Sequence, residues 1–97
     1  MDMLMFQLDK TSSEPLYEQL YRGIKESIVN GEIATNEKLP SKRKLAEFLN
    51  ISQTTIELAY GQLLAEGYVL SKSRVGYFVE DIETLAYIDK EQTQKLL

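Results

Sequence analysis

Between Ser41 and Glu66 two amphipathic runs stand only a few residues apart, and the start of the second is fixed twice over. Leu45, Ala46 and Leu49 recur at helical spacing. Asn50 and Ile51 break the pattern, and Ile56, Ala59, Tyr60, Leu63 and Leu64 then recur at i, i+3, i+4, i+7 and i+8. Ser41 and Ser52 each precede a run and can cap it, while Pro40 stops any element from entering the first. With Ser52 as the cap, Ile51 and Ile56 occupy the two positions whose side chains staple a helix entry. The spacing therefore predicts a second helix over about 41–49 and a third over about 52–66, closed by Gly67. Two capped helices joined by so short a turn match the helix-turn-helix arrangement.

The flanking sequence supplies the rest of a small domain. Leu16, Leu20, Ile24 and Ile28, with Tyr17 and Tyr21 beside them, predict a first helix over about 15–30, with Pro15 in its first turn and Gly31 ending it. "YVL", a polar "SKSRVG" and "YFV" read as strand, turn and strand, with a loop longer than a minimal hairpin and expected to project. "MLMFQL" reads as one more short strand. Tyr17, Tyr21, Tyr60 and Tyr68 are assigned to the core, and Leu58 falls outside the buried stripe. The tail "EDIETLAYIDKEQTQKLL" has Leu85 and Ile88 at helical spacing and is expected to begin a linker or effector region. At 97 residues this is one α+β domain of three helices and a C-terminal β-hairpin.

Composition removes most chemistry. The chain has no cysteine and no histidine, which excludes disulfides, thiolate nucleophiles, Cys/His zinc sites and imidazole bases. No carboxylate pair sits in an apolar context and no Gly-rich phosphate loop occurs, so an active site is not expected. "MDMLMF" is too short and too acidic for a signal peptide, no stretch could span a bilayer, and an intracellular protein without a membrane partner is expected.

The net charge of −4 conceals a basic middle. Residues 1–37 carry seven acids and three bases, residues 38–79 three acids and six bases, and residues 80–97 five acids and two bases. Lys42, Arg43 and Lys44 fill the first turn of the second helix, where the helix dipole disfavours cations by roughly 0.3–1 kcal/mol each. A purely structural helix would carry acids there, so the run points to a phosphate ligand. The face of the third helix opposite the core begins Gln53, Thr54, Thr55 and Glu57, polar side chains suited to meeting base edges.

"PLYEQLYRGIKESIVNGEI", "KLPSKRKLAEFLNISQTTIELAYGQLLAEGYV" and "SRVGYFV" resemble, in order and spacing, the N-terminal winged helix-turn-helix domain of GntR-family bacterial transcription regulators, over about residues 8–79. Four pieces carry the resemblance: "LPS.R.LA", "L.IS..T", "AY..L..EGY" and "G.FV". The last two look most like the MocR branch, whose members join this domain to a larger aminotransferase-like domain that binds pyridoxal phosphate. The sequence contains no such domain, so the resemblance implies a fragment of a longer regulator and no cofactor in this chain. It further implies that Ser41 and Arg43 meet the DNA backbone or a guanine edge and that Thr55 touches phosphate. Gly76, with Lys72 and Arg74 beside it, would approach the minor groove. Two positions depart from the pattern: Gln53 stands where many relatives have arginine, and Glu57 where a second base is common.

The expected function is sequence-specific binding of a double-stranded DNA operator, with the full-length protein a cytoplasmic homodimer. Ser41, Lys42, Arg43, Ser52, Gln53, Thr54, Thr55, Glu57, Lys72, Arg74 and Gly76 are the expected contacts. Residues 80–97 are expected to lead into an effector or dimerisation region. A protein-docking winged helix remains the alternative, favoured by the acidic total and by Glu57, and separable from DNA binding by its weak response to salt.

Overall fold

The computed structural model describes residues 8–81. Its elements are α1 (Leu16–Val29), α2 (Lys42–Leu49), α3 (Gln53–Ala65), β1 (Val69–Lys72) and β2 (Gly76–Val79), the winged helix-turn-helix order. The helix starts follow the predicted caps. The Ser41 hydroxyl accepts from the Lys44 N–H, and the Ser52 hydroxyl accepts from the Thr55 N–H. Pro15 differs by one position. Its ψ of 147° makes it the N-cap of α1 instead of a first-turn residue, and the Glu18 and Gln19 N–H groups donate to its carbonyl. All three helices stop in the same way. A left-handed residue, Gly31, Asn50 or Gly67, and the residue after it donate back to Ile28 and Ser27, Glu47 and Ala46, and Leu64 and Leu63. These paired bonds satisfy carbonyls that a helix end leaves open.

The three helices bury one face each. Leu20, Ile24 and Ile28 of α1 meet Ile56, Ala59, Tyr60 and Leu63 of α3, and Leu45 and Ala46 of α2 close the third side. Each fully buried Leu or Ile contributes roughly 1.5–3 kcal/mol of transfer free energy. Ile51 packs against this cluster from its rim, as the staple requires. Two expected core residues are elsewhere. Leu64 is 41% exposed, because the buried stripe of α3 is narrower than its run of leucines. Tyr17 is half-buried outside the cluster, its hydroxyl donating to Glu18, because it sits in the first turn, before α1 meets α3. Tyr21 and Tyr68 pack at the rim, and only Tyr60 lies fully inside.

The wing is a tight antiparallel hairpin, with Val69 opposite Val79 and Lys72 opposite Gly76. Its turn holds only residues 73–75, closed by the Val75 N–H donating to the Lys72 carbonyl, so the long projecting loop expected from the sequence is shortened. The polar Ser71 and Lys72 belong to the strand because both faces of the hairpin are solvated toward its tip. A third segment pairs with β2 from its other side. The Leu39 N–H donates to Tyr77, the Val79 N–H donates to Glu37, and Lys38 bridges Phe78. Of "MLMFQL", only Leu8 is described; it packs against the core and lies in no strand, while the rest of that segment and residues 82–97 fall outside the described residues.

Candidate nucleic-acid interface

Tyr60 and Tyr77 set the spacing between helix and wing. The Tyr60 hydroxyl donates to the Pro40 carbonyl at 2.8 Å, and its ring meets Tyr77 edge-on at 5.1 Å between centroids. Burial pushes its phenol far above the ordinary value, so Tyr60 stays a neutral donor at any physiological pH. These contacts hold the start of α2 beside the wing and leave an open groove of about 800 Å³ between them. Lys38, Lys42, Lys44, Lys72 and Arg74 line it, with no acid among the lining residues. None of the five joins a salt bridge among the described residues.

Local packing orders two of these cations. The Lys42 ammonium lies 5.7 Å from the Tyr77 ring centroid, and Lys72 lies 4.6 Å from that of Phe78. Successive strand residues face opposite ways, so the two aromatics hold one lysine on each face of the wing. Arg74, at the tip, has φ +66°. A side chain in the left-handed region costs about 1–2 kcal/mol, and a turn of this kind ordinarily places glycine or asparagine there. Ser41 also lines the groove, its hydroxyl engaged in capping.

The N-terminal face of α3 lies outside this groove. Gln53, Thr54 and Glu57 are exposed, and no other element covers them. Ser52 and Thr55 share a hydrogen bond of 2.9 Å between their hydroxyls, which fixes the first turn. Arg43 points away from the groove into a single exposed contact, 3.4 Å from Glu47. The groove thus gathers Ser41, Lys42, Lys72, Arg74 and Gly76, while Ser52, Gln53, Thr54, Thr55 and Glu57 form the helix face and Arg43 stands on the outer side of α2.

Two groove residues were missed or passed over in the sequence. Lys44 belongs to the basic run that points to phosphate but is not among the expected contacts, and Lys38 has no place in the sequence reading. Its signal was present, since a base two residues before Pro40 and the α2 cap must lie near the entrance to α2. Perturbed carboxylates lie elsewhere. Glu66 is held below its ordinary value by the Tyr21 hydroxyl that donates to it, and Glu14 by the Arg22 guanidinium. The first ties α1 to the end of α3, and the second ties the segment before α1 to the helix.

Pyridoxal phosphate does not fit these residues. A Schiff-base lysine needs a desolvated pocket, and every described lysine is exposed or half-buried at the surface. Among the described residues no cluster of three or more acids could hold a metal ion, and no helix is long and apolar enough to cross a membrane.

Comparison with known proteins places this geometry in context. The family model described as bacterial regulatory proteins, gntR family, matches residues 16–79. The HTH-type transcriptional regulator YhdI of Bacillus subtilis, itself uncharacterised, is 51% identical over 83 residues, which cover 86% of this chain but only 18% of YhdI. Among solved structures, YtrA from Sulfolobus acidocaldarius, a GntR-family transcription factor, is 32% identical with a TM-score of 0.73, over 91% of this chain and 96% of that one. The DNA-binding domain of AraR, solved in complex with operator ORR3, is 30% identical with a TM-score of 0.62, over 79% of this chain and 95% of that one.

Proposed function

The chain belongs to the GntR family of bacterial regulatory proteins, and we propose that residues 8–79 are the part of a longer, homodimeric cytoplasmic regulator that reads its operator. The groove between α2 and the wing carries this proposal: five cations and no acid line it, in a protein whose total charge is −4. Local charge sets the field a polyanion meets, and a DNA strand is the ligand that such a groove fits. Lys42, Lys44, Lys72 and Arg74 take phosphates, with the free N–H groups of the α2 start adding partial positive charge. Ser41 and Arg43 approach the backbone from the same helix. The α3 face then enters the major groove, where Gln53 can pair with adenine, Thr54 can meet a base edge, and Ser52 and Thr55 hold the helix start against phosphate. The wing tip, with Gly76, lies toward the minor groove.

The role is one of binding and carries no chemistry of its own. Residues 80–97 lead toward an effector or dimerisation region. Identity is higher with YhdI, of which this chain spans less than a fifth, than with YtrA, which it nearly spans; this supports the long, MocR-like branch. Selection from a randomised duplex library tests the function. A defined sequence preference is expected, and Gln53→Ala should relax it at one base pair while leaving the melting temperature unchanged. Recovery of random sequence with wild-type protein would overturn the reading.

A further inference from the structure

The geometry points to Lys38 as a phosphate contact on the outer face of the wing, held in place by Gly76. This rests on the proposed DNA-binding function and extends it to a residue outside the helix-turn-helix and the hairpin. Lys38 lies in the segment that pairs with β2, directly across from Phe78. Paired and alternate strand residues share a face, so Lys38, Phe78, Gly76 and Lys72 stand on the same side of the sheet. A β-carbon built on Gly76 would come within 2.9 Å of the Lys38 Cε and 3.8 Å of its Nζ. The lysine side chain therefore lies over the bare glycine backbone of β2, with its Cε nearest the place a β-carbon would take. Any side chain at position 76 would push it aside, and φ +138° admits only glycine there with ease.

Lys38 and Lys72 stand on the two segments that flank β2, on one face, where their like charges repel. Neither is neutralised in a salt bridge among the described residues, and both line the groove. A phosphate lying against this outer face of the wing supplies the missing charge. On this account Gly76 is a positioning residue: its lack of a side chain lets Lys38 reach the ligand, whether or not the glycine itself touches DNA.

The test is a salt titration of duplex binding by wild type, Lys38→Ala, Lys38→Arg and, as control, Lys25→Ala. Lys25 sits over the rings of Tyr21 and Tyr68, away from the groove. Wild-type binding at low salt establishes the underlying function, so its failure is distinguishable from failure of this inference. Lys38→Ala should lower the magnitude of the log–log salt slope by about 0.9 and weaken binding roughly five- to tenfold at 0.1 M salt, on cognate and scrambled duplex alike. Lys38→Arg should restore both, and Lys25→Ala should change neither. A Lys38→Ala slope equal to wild type overturns the assignment. Gly76→Ala adds the positioning arm. It should cost affinity in the wild-type background and markedly less in Lys38→Ala, whereas equal losses in both would assign the glycine to the hairpin's fold alone.

Discussion

Ile56 and Thr54 stand two residues apart on α3, one fully buried and the other exposed, and that contrast fixes the rotation of the reading helix. Ile56→Ala removes methylenes from the centre of the core and should cost roughly 2–5 kcal/mol in chemical denaturation, against less than about 0.5 for Thr54→Ala. Arg74 separates folding from binding at a single position. Arg74→Gly relieves a left-handed side chain but adds unfolded-state freedom, two terms of about 1 kcal/mol that oppose. Its melting temperature should therefore stay close to wild type while duplex affinity falls and the salt slope shrinks. Glu57 is the exposed acid of the α3 face, and Glu57→Gln should tighten binding to every duplex by an amount that fades as salt rises. Selective loss of the cognate site would instead identify it as a cytosine reader. At this scale the sequence was informative wherever periodicity decided burial. It misled at Leu64, where a run of leucines outlasted the contact, and at Tyr17, whose helical spacing extends into the first turn of α1, outside the buried cluster.

The elements were legible because their ends are local. A serine cap, a staple and a left-handed residue lie within a few positions of one another, so Ser41, Ser52, Asn50 and Gly67 announced the helix-turn-helix before any tertiary contact was known. Removing either cap should be costly in proportion. Ser41→Ala and Ser52→Ala should each lose about 1 kcal/mol, measured by thermal or urea unfolding, with Ser52→Ala also releasing the Thr55 hydroxyl. The joint between α1 and α3 responds to pH. The Tyr21 hydroxyl and, to a lesser degree, Gln62 and Lys25 keep Glu66 below its ordinary value of 4.5. A depressed acid stabilises the fold above its unfolded value and loses that contribution as pH falls through the lower folded value. Stability should accordingly drop below about pH 4.5, and Tyr21→Phe should flatten that drop. What the sequence concealed was pairing between distant segments. Lys38 and Gly76 are brought together by a segment that bridges β2 at Phe78, and Tyr60 meets Tyr77 across the helix–wing joint. No local pattern encodes either contact.

At the scale of the molecule, charge among the described residues is sorted by segment. Among the described residues, Asp9, Glu14, Glu18, Glu26, Glu32 and Glu37 fall on α1 and the segments around it, while Lys38, Lys42, Arg43, Lys44, Lys72 and Arg74 lie at the entrance to α2, on α2 and on the wing. On the proposed function the α3 face supplies selectivity beside a groove that supplies attraction, the division between base and backbone contacts in DNA recognition. The most direct test of this account is the salt dependence of duplex binding by the wild-type chain, measured by fluorescence anisotropy from 50 to 300 mM monovalent salt. If the five groove cations each neutralise a phosphate, log K should fall linearly with log salt at a slope of about −4 to −5. A slope near zero would contradict the account, because it would leave the groove's charge without a role in binding.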